Sequence, residues 1–277
     1  MKYDYFFLEK IRLLAQRAGD AIMRVYAGEF AVTAKDDLTP LTEADLVAHR
    51  LIEEGLLALC PDVPVLSEEG AHVPFATRQT WARYWLVDPL DGTREFVKRN
   101  GEFSVNIALV DGHDVMLGVV HAPALGVAYA AWRGGGAWKW SGDEDRPARI
   151  QARLAQQTTL RPLRVALSRS HGSPRMQAYL QALEATHGAA ECVRMGSALK
   201  SCLVAEGTVD VYPRMGLTSE WDTAAAQCVV EEAGGRFTDT QGQRLRYNTK
   251  DSLLNPEFLV FADETVDWAM FVPPPDV

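Results

Sequence analysis

The order of strand-like and helix-like patterns along the chain constrains its fold more than any other feature of the sequence. Three apolar segments, separated by Gly or Pro turns, predict an antiparallel meander over Ser104 to Val110, Val115 to His121 and Val127 to Trp132. After about residue 155 strands alternate with helices, which predicts an α/β layer. We therefore expect two halves, residues 1–155 and 156–277, that pack as one unit with a cleft between them.

Two helices are predicted ahead of the meander. Apolar residues spaced by three and four from Leu8 to Val25 form the stripe of an amphipathic helix that ends near Gly28. A second helix is predicted from Thr42 to Leu59, with a capping residue at its start and Asp45 three positions on. Later, Tyr84 to Val87 is apolar without alternation, which is typical of a strand in a sheet covered on both faces.

The elements predicted in the second half alternate regularly. The strands are 164–167, 192–195, 209–213, 236–239 and 258–262, and the helices are 174–186, 198–206 and 223–233. No repeat or low-complexity linker separates the two halves, which favours close packing between them.

The composition excludes several classes of protein. With 47% hydrophobic and 23% charged side chains, the chain is not disordered, collagen-like or a coiled coil as a whole. A net charge of −9 argues against nonspecific binding to DNA, RNA or anionic lipid. We find no signal peptide or membrane span, so a cytoplasmic location is expected, with peripheral membrane association left open. The four cysteines have no CxxC or zinc spacing and are interpreted as reduced, mostly buried thiols.

The run from Trp85 to Thr93 carries the most chemical information. A buried strand delivers Asp88 and Asp91 into a tight turn, where Pro89 fixes its own backbone angle and the Leu90 carbonyl can converge on the carboxylates. Phosphatases that form a phospho-aspartate place their nucleophile two positions before the second Asp, and that position is Pro89 here. Direct attack by a water activated at a metal is therefore the better hypothesis.

Gly92 and Thr93 complete this run. Gly92 permits a close approach of the backbone, and Thr93 can begin a helical turn whose free N–H groups suit a phosphate. An Asx-turn capped by Thr93 explains the same residues, so the run alone leaves both interpretations open.

Acidic residues elsewhere favour the functional interpretation. Glu68 and Glu69 follow a strand, Asp222 lies at the start of a helix and Asp45 lies on the second helix. Gathered in one cleft, these carboxylates would repel each other unless a cation let them stay ionised together. Oxygen ligands suit Mg²⁺, Mn²⁺ or Ca²⁺ rather than zinc.

Three separated motifs together resemble the inositol monophosphatase superfamily, whose members are magnesium-dependent, lithium-sensitive phosphatases. The motifs are Glu68-Glu69, Asp88 to Thr93 and Trp221 to Ala225. Longer runs resemble the bacterial 3′(2′),5′-bisphosphate nucleotidase (CysQ-type) branch, and these are Leu66 to Glu69, Trp85 to Leu109, Ser168 to His171 and Gly196 to Lys200. The resemblance covers nearly the whole chain. It implies a layered α/β/α/β/α sandwich, an α+β half with most metal ligands followed by an α/β half with substrate contacts.

The resemblance also implies a role for each site residue. The metal ligands would be Glu68, Asp88, the Leu90 carbonyl, Asp91 and Asp222, with Glu69 near a third ion. Two or three Mg²⁺ are implied, with Mn²⁺ as a substitute and Ca²⁺ or Li⁺ as inhibitors. Asp45 and Thr93 would activate the attacking water. The implied substrate contacts are Glu68, Leu90, Asp91, Gly92, Thr93, Arg94, Ser168, His171, Gly196, Ser197, Lys200 and Asp222.

Small departures from the family pattern are visible. Arg94 stands where Lys is common, Glu220 adds an acid beside the Trp-Asp pair, and nothing is carried over for Gly134 to Gln157. Lys98 and Arg99 can also contact a second phosphate, although for each residue alone a solvated basic turn is the favoured interpretation.

The implied reaction is hydrolysis of adenosine 3′,5′-bisphosphate to AMP and phosphate by in-line attack. The expected partner is thus a small phosphorylated nucleotide and not a nucleic-acid polymer, and the oligomeric state is not readable. An inositol or sugar-phosphate phosphatase that uses the same metals is the first alternative. A non-catalytic metal- and phosphate-binding protein is disfavoured because Asp45 and Thr93 are both present. A membrane-peripheral scaffold has no support, since the chain offers no basic amphipathic helix.

Overall fold

Three β-sheets and seven α-helices form the regular structure of the computed structural model, which describes residues 4–34, 40–142, 146–153, 161–169 and 173–274. The helices are α1 (Tyr5–Ala27), α2 (Glu43–Leu59), α3 (Phe75–Arg78), α4 (Thr93–Val97), α5 (Pro174–His187), α6 (Leu199–Ala205) and α7 (Glu220–Glu232). The strands of the first part are β1 (Val32–Ala34), β2 (Pro40–Thr42), β3 (Val65–Ser67), β4 (Arg83–Asp91), β5 (Ser104–Asp111), β6 (Asp114–Ala122), β7 (Val127–Trp132), β8 (Gly136–Ser141) and β9 (Ala148–Ile150). The later strands are β10 (Arg164–Ser168), β11 (Glu191–Met195), β12 (Val211–Arg214), β13 (Arg236–Asp239) and β14 (Phe258–Phe261).

Helices and sheets stack in the five layers that the family resemblance implies. Helices α1 and α2 cover one face of a seven-stranded sheet, and α6 and α7 lie between that sheet and a five-stranded one. Helix α5 and the short 3-10 helix Trp268–Phe271 cover the outer face of the second sheet. The α/β/α/β/α order is therefore confirmed.

The two N-terminal helices form as their caps and apolar spacing predict. Asp4 caps α1 by accepting the N–H of Phe7 at 2.9 Å, and the helix ends at Gly28. In α2 the side chains of Thr42 and Asp45 form a capping box, in which Asp45 Oδ2 accepts both the N–H and the hydroxyl of Thr42. The capping interaction fixes the Asp45 carboxylate at the start of the helix.

The seven-stranded sheet contains the predicted meander. Its order is β3-β4-β5-β6-β7-β8-β9, and every neighbouring pair except the parallel β3 and β4 is antiparallel. Strand β4 runs on to Asp91 instead of ending at Val87 as predicted, with a bulge between Asp88 and Asp91. The bulge arises where Asp88 Oδ1 accepts the N–H of Leu90 at 3.0 Å, in place of a partner on β5. The acidic run is thus a bulged strand end and not a separate turn.

The five-stranded sheet has the order β11-β10-β12-β14-β13, with β10 parallel to both of its neighbours. Its elements lie close to their predicted limits, but α7 begins at Glu220, three residues earlier than predicted. The earlier start follows from a second capping box, between Ser219 and Asp222, which places Asp222 in the first turn of the helix.

The cysteines are free, and Cys60, Cys202 and Cys228 are buried while Cys192 is exposed. The expectation of mostly buried thiols is therefore right for all but Cys192. Among the residues that the structure describes, no helix has the length and apolar character needed to cross a membrane.

Candidate active site

Three carboxylates from distant parts of the chain meet at the bulged end of β4. Asp88 and Asp91 come from β4 itself, and Asp222 comes from the first turn of α7. Each offers an oxygen, and the three oxygens lie within 4.8 Å of one another. The group has no cysteine or histidine, so its donor set is the one that hard cations such as Mg²⁺ prefer.

The electrostatics of this group favour a bound cation. Burial raises the pKa of Asp88 well above its ordinary value, and the charges of Glu68, Asp91 and Asp222 raise it further. Burial and then the charge of Asp91 likewise raise the pKa of Asp222. Protons thus compete for carboxylates that a divalent ion would hold ionised. The residues fit a metal site on this ground.

Backbone N–H groups orient two of the carboxylates. Asp88 Oδ1 accepts from Leu90, and Asp222 Oδ2 accepts from Ser219 at 2.9 Å. Both bonds are local, because a bulge and a helix cap place the donor within three residues of its acceptor. The positions of these carboxylates are therefore set before any ligand arrives.

The third carboxylate, Asp91, is oriented by groups far from it in sequence. Its Oδ2 accepts the N–H of Ala198 at 2.5 Å and the side-chain amide of Asn106 at 3.3 Å. Asn106 is held in turn, since its Oδ1 accepts the hydroxyl of Ser104 at 2.9 Å. Burial raises the pKa of Asp91, while the charge of Lys200 and these two hydrogen bonds oppose the rise. The sequence pattern missed Asn106, whose only signal is a buried polar residue in an apolar strand.

The two predicted glutamates differ in position. Glu68 borders the same pocket as the three aspartates, and its charge and a hydrogen bond help to raise the pKa of Asp88. Glu69 is half-buried and is not among the residues that line this pocket. Its role near a third ion stays a prediction.

The two residues predicted to activate water lie next to each other. The Thr93 hydroxyl lies 3.4 Å from Asp45 Oδ1 and 3.2 Å from the Leu90 carbonyl oxygen. Asp45 is 1% exposed, and its other carboxylate oxygen is bonded to Thr42. Thr93 begins α4 directly after Gly92, whose φ of 89° is in the left-handed region that favours glycine. The pair therefore combines a hydroxyl at the pocket with a buried carboxylate behind it.

Cationic side chains also line this pocket. Lys200 is 5% exposed, and its Nζ donates to the Ser197 carbonyl at 2.6 Å. Burial lowers the pKa of Lys200 to about 8, although the charge of Asp91 counteracts part of that effect. Arg214, which the sequence interpretation missed, also borders the pocket and donates to the Leu217 carbonyl at 2.9 Å. Its only sequence signal is a basic residue at the end of a strand.

Comparison with known proteins agrees with this geometry. Residues 7–265 match the inositol monophosphatase family. This chain belongs to that family. The 3′(2′),5′-bisphosphate nucleotidase CysQ of Escherichia coli K12 is 49% identical over 255 residues, which cover 91% of this chain and 98% of that protein. The Haemophilus influenzae protein of the same name is 40% identical over 264 residues, 94% of each chain.

A solved structure of the family is also similar. The crystal structure of CysQ from Bacteroides thetaiotaomicron superposes with a TM-score of 0.76 at 38% identity, covering 94% of this chain and all of that one. The fold and the family that the sequence motifs implied are therefore confirmed.

The remaining family-implied contacts divide into two groups. Arg94, Ser168, Gly196, Ser197 and Lys200 all line the pocket of the three aspartates. His171 lies outside the residues that the structure describes.

Arg99 is used elsewhere, because it donates to the carbonyl oxygens of Tyr26 and Gly28 at the end of α1. Arg99 is not among the residues that line this pocket, and its contact with a second phosphate stays a prediction. Glu220 is bonded away from the aspartates: both of its carboxylate oxygens accept the N–H of Asn248, at 3.0 and 2.9 Å. Burial raises the pKa of Glu220 to about 7, and this acid is not part of the described carboxylate group.

Proposed function

We propose that this protein is a magnesium-dependent phosphomonoester hydrolase that acts as a 3′(2′),5′-bisphosphate nucleotidase. The substrate would be adenosine 3′,5′-bisphosphate, and the products AMP and phosphate. The observation that carries the proposal is one pocket that joins three converging aspartates, the Thr93–Asp45 pair and the cationic side chains of Lys200 and Arg214. The names of the similar proteins, 3′(2′),5′-bisphosphate nucleotidase, support the choice of substrate.

The metal ligands in this proposal are Asp88, Asp91 and Asp222, with Glu68 and the Leu90 carbonyl beside them. Bound Mg²⁺ would neutralise charge on the phosphoryl oxygens and lower the pKa of a water molecule. Burial and mutual repulsion raise the pKa values of Asp88 and Asp222, which disfavours their charged forms. Binding of Mg²⁺ would displace their protons and stabilise the ionised carboxylates.

Proton transfer is assigned to Thr93 and Asp45. The Thr93 hydroxyl can donate its single proton to Asp45 Oδ1 or to the Leu90 carbonyl, which leaves its lone pairs free to accept from water. As the water oxygen attacks phosphorus, its proton passes to Thr93 and the Thr93 proton passes to Asp45. The bond between phosphorus and the ester oxygen breaks in line, and solvent protonates the leaving oxygen.

Substrate orientation is assigned to the other polar and cationic side chains that line the pocket. The backbone of Gly92 and Thr93 would hold the reacting phosphate. Arg94, Ser168, Ser197, Lys200 and Arg214 would contact the rest of the nucleotide, including its second phosphate. A bisphosphate matches a wall with several cations better than a substrate with one phosphate does.

The decisive experiment measures phosphate release from adenosine 3′,5′-bisphosphate in Mg²⁺ and in a chelator. We expect turnover only in Mg²⁺, and a folded but inactive Asp91→Asn variant. The matched control is Asp111→Asn, which removes an equivalent charge from a surface ion pair with Arg83. Near wild-type turnover of Asp91→Asn in saturating Mg²⁺ would refute the metal assignment.

The alternative within the family is an inositol or sugar-phosphate phosphatase. A parallel assay with inositol monophosphate tests this alternative, because both reactions use the same metal ligands and differ only in the residues that contact the rest of the substrate. A higher kcat/KM for inositol monophosphate than for the bisphosphate would replace the nucleotidase proposal with that alternative.

A further inference from the structure

Ser197 has an unusual conformation for a residue that lines a binding pocket. Its φ is 48°, in the left-handed region that non-glycine residues seldom adopt. Its hydroxyl oxygen is buried, and it has no hydrogen-bond partner among the residues that the structure describes. Strained residues and unsatisfied buried polar groups concentrate at binding sites, where a ligand completes the missing interactions.

The surrounding segment, Gly196 to Ala198, is fixed at each of its three residues. The Gly196 N–H donates to Glu102 Oε2 at 2.8 Å, and the Ala198 N–H donates to Asp91 at 2.5 Å. Between them, the Ser197 carbonyl accepts from Lys200. One end of the segment is thus bonded to a proposed metal ligand, and the other end to a carboxylate outside the catalytic group.

Glu102 is itself firmly held. It lies in the loop before β5, and its side chain forms a two-bond ion pair with Arg169, at 2.7 Å from Nε and 2.5 Å from Nη2. Arg169 follows the pocket residue Ser168 at the end of β10. The pair therefore connects the loop before β5, the end of β10 and the Gly196 segment. Such bidentate pairs fix geometry more strictly than single hydrogen bonds do.

Close packing adds a second constraint at Gly196. A Cβ atom at this position would overlap the backbone carbonyl oxygen of Glu102. The absence of a side chain lets the two backbones meet, and the Glu102 carboxylate reaches the Gly196 N–H as a result. The position of Ser197, the next residue, follows from both contacts.

We propose that Glu102 is a positioning residue, which together with Arg169 holds Gly196 to Ala198 so that the Ser197 hydroxyl meets the bound substrate. The inference rests on the proposed nucleotidase function, because it names Ser197 as a substrate contact. Glu102 acts only through the segment that carries Ser197.

The structure provides a matched control in the same sheet. Arg164 and Glu191 form an equally two-bonded pair between β10 and β11, at 3.1 and 2.8 Å. Neither residue lines the pocket. Glu191→Gln therefore removes a similar ion pair without a contact to the substrate wall.

The test compares Glu102→Gln, Ser197→Ala and their double variant, with Glu191→Gln as control. We expect Glu102→Gln to raise KM for adenosine 3′,5′-bisphosphate by about tenfold, with a smaller change in kcat. In the Ser197→Ala background, Glu102→Gln should raise KM little further, because the hydroxyl that Glu102 positions is absent. Calorimetric binding of AMP should weaken by a similar factor. Arg169→Lys, which keeps the charge, should weaken binding less than Arg169→Gln does.

Two results would overturn the proposal: a lower melting temperature of Glu102→Gln with unchanged KM, or fully additive effects of Glu102→Gln and Ser197→Ala. If Glu102→Gln does not fold, Arg169→Gln replaces it throughout. If the wild-type protein releases no phosphate from the bisphosphate, the proposed function fails separately. The same comparison with inositol monophosphate, the substrate of the alternative, then decides the positioning role.

Discussion

Replacing Asp88 with Asn should stabilise the metal-free protein and abolish its turnover. Asp88 is 1% exposed, and burial followed by repulsion from Glu68, Asp91 and Asp222 raises its pKa above the ordinary value of 3.8. A carboxyl whose pKa is higher in the folded state binds more protons when folded. It therefore lowers stability as pH rises from 3.8 through its folded pKa. Asn has the same shape, still accepts the Leu90 N–H and never ionises.

The size of this effect follows from linkage. In the metal-free state, the free energy of unfolding of Asp88→Asn exceeds that of wild type. The difference grows by about 1.4 kcal/mol per pH unit until the folded pKa of Asp88 is passed. For 277 residues, at about 2.1 cal/mol/K per residue, each such increment raises the melting temperature of Asp88→Asn relative to wild type by roughly 2–3 °C. Mg²⁺ at about 100 times its Kd should increase the free energy of unfolding of wild type by about 2.7 kcal/mol, and that of the variant by far less.

The assay is thermal unfolding at pH 4.5, 6 and 7.5, in a chelator and in excess Mg²⁺, alongside phosphate release. Asp111→Asn is the control, since Asp111 forms a surface ion pair with Arg83 at 2.6 Å and should leave the Mg²⁺ shift unchanged. The reasoning fails if Asp88→Asn melts below wild type in the chelator at pH 7.5. It fails equally if Mg²⁺ stabilises both proteins to the same degree.

Three further predictions follow, two on other residues of the site and one on the exposure of the cysteines. Asn106→Ala removes a hydrogen bond to Asp91, so the half-saturating Mg²⁺ concentration should rise about tenfold in activity and calorimetric titrations; an unchanged value would exclude a positioning role. Because burial lowers the pKa of Lys200 to about 8, Lys200 loses its proton above that pH, and wild-type KM for the bisphosphate should rise there. In Lys200→Met, KM should be high and independent of pH across the same range. In the native protein Cys192 alone should react rapidly with a thiol reagent, whereas all 4 cysteines react after unfolding.

Much of the fold could be predicted because local patterns decide local structure. Apolar segments and the turn residues between them predicted the meander, and capping residues predicted the start of α2. Strands β8 and β9 were missed, since β9 has only 3 residues and short strands depend on pairing with a neighbour. The length of β4 was also missed, because its bulged end lies beyond the apolar run and is held by Asp88 and by pairing with β5.

The residues of the site likewise divide into those that local sequence patterns predict and those that only the packing of distant segments brings together. Asp88, Asp91 and Asp222 could be predicted because their spacing and motifs are local. Asn106 was missed because it faces the aspartates only through the register of β5 against β4, where it lies opposite Asp88.

The predicted boundary between the halves, at residues 155 and 156, lies outside the described residues and stays a prediction.

Glu102 and Arg214 were missed for the reason that applies to Asn106. Each reaches the site through a contact that exists only after distant segments have packed.

The charge of the chain explains how an acidic protein can bind an anionic substrate. Its net charge of −9 opposes polyanions in bulk, yet the pocket of the proposed site brings carboxylates together with the cationic side chains of Arg94, Lys200 and Arg214. Two Mg²⁺ would leave −5, and they would reverse the sign of the local field where the reacting phosphate must lie. Without the ion, the buried carboxylates repel that phosphate while the cationic wall attracts the rest of the nucleotide. The acidity that argues against a nucleic-acid partner is therefore the same property that, in the proposed function, makes cation binding a condition for substrate binding.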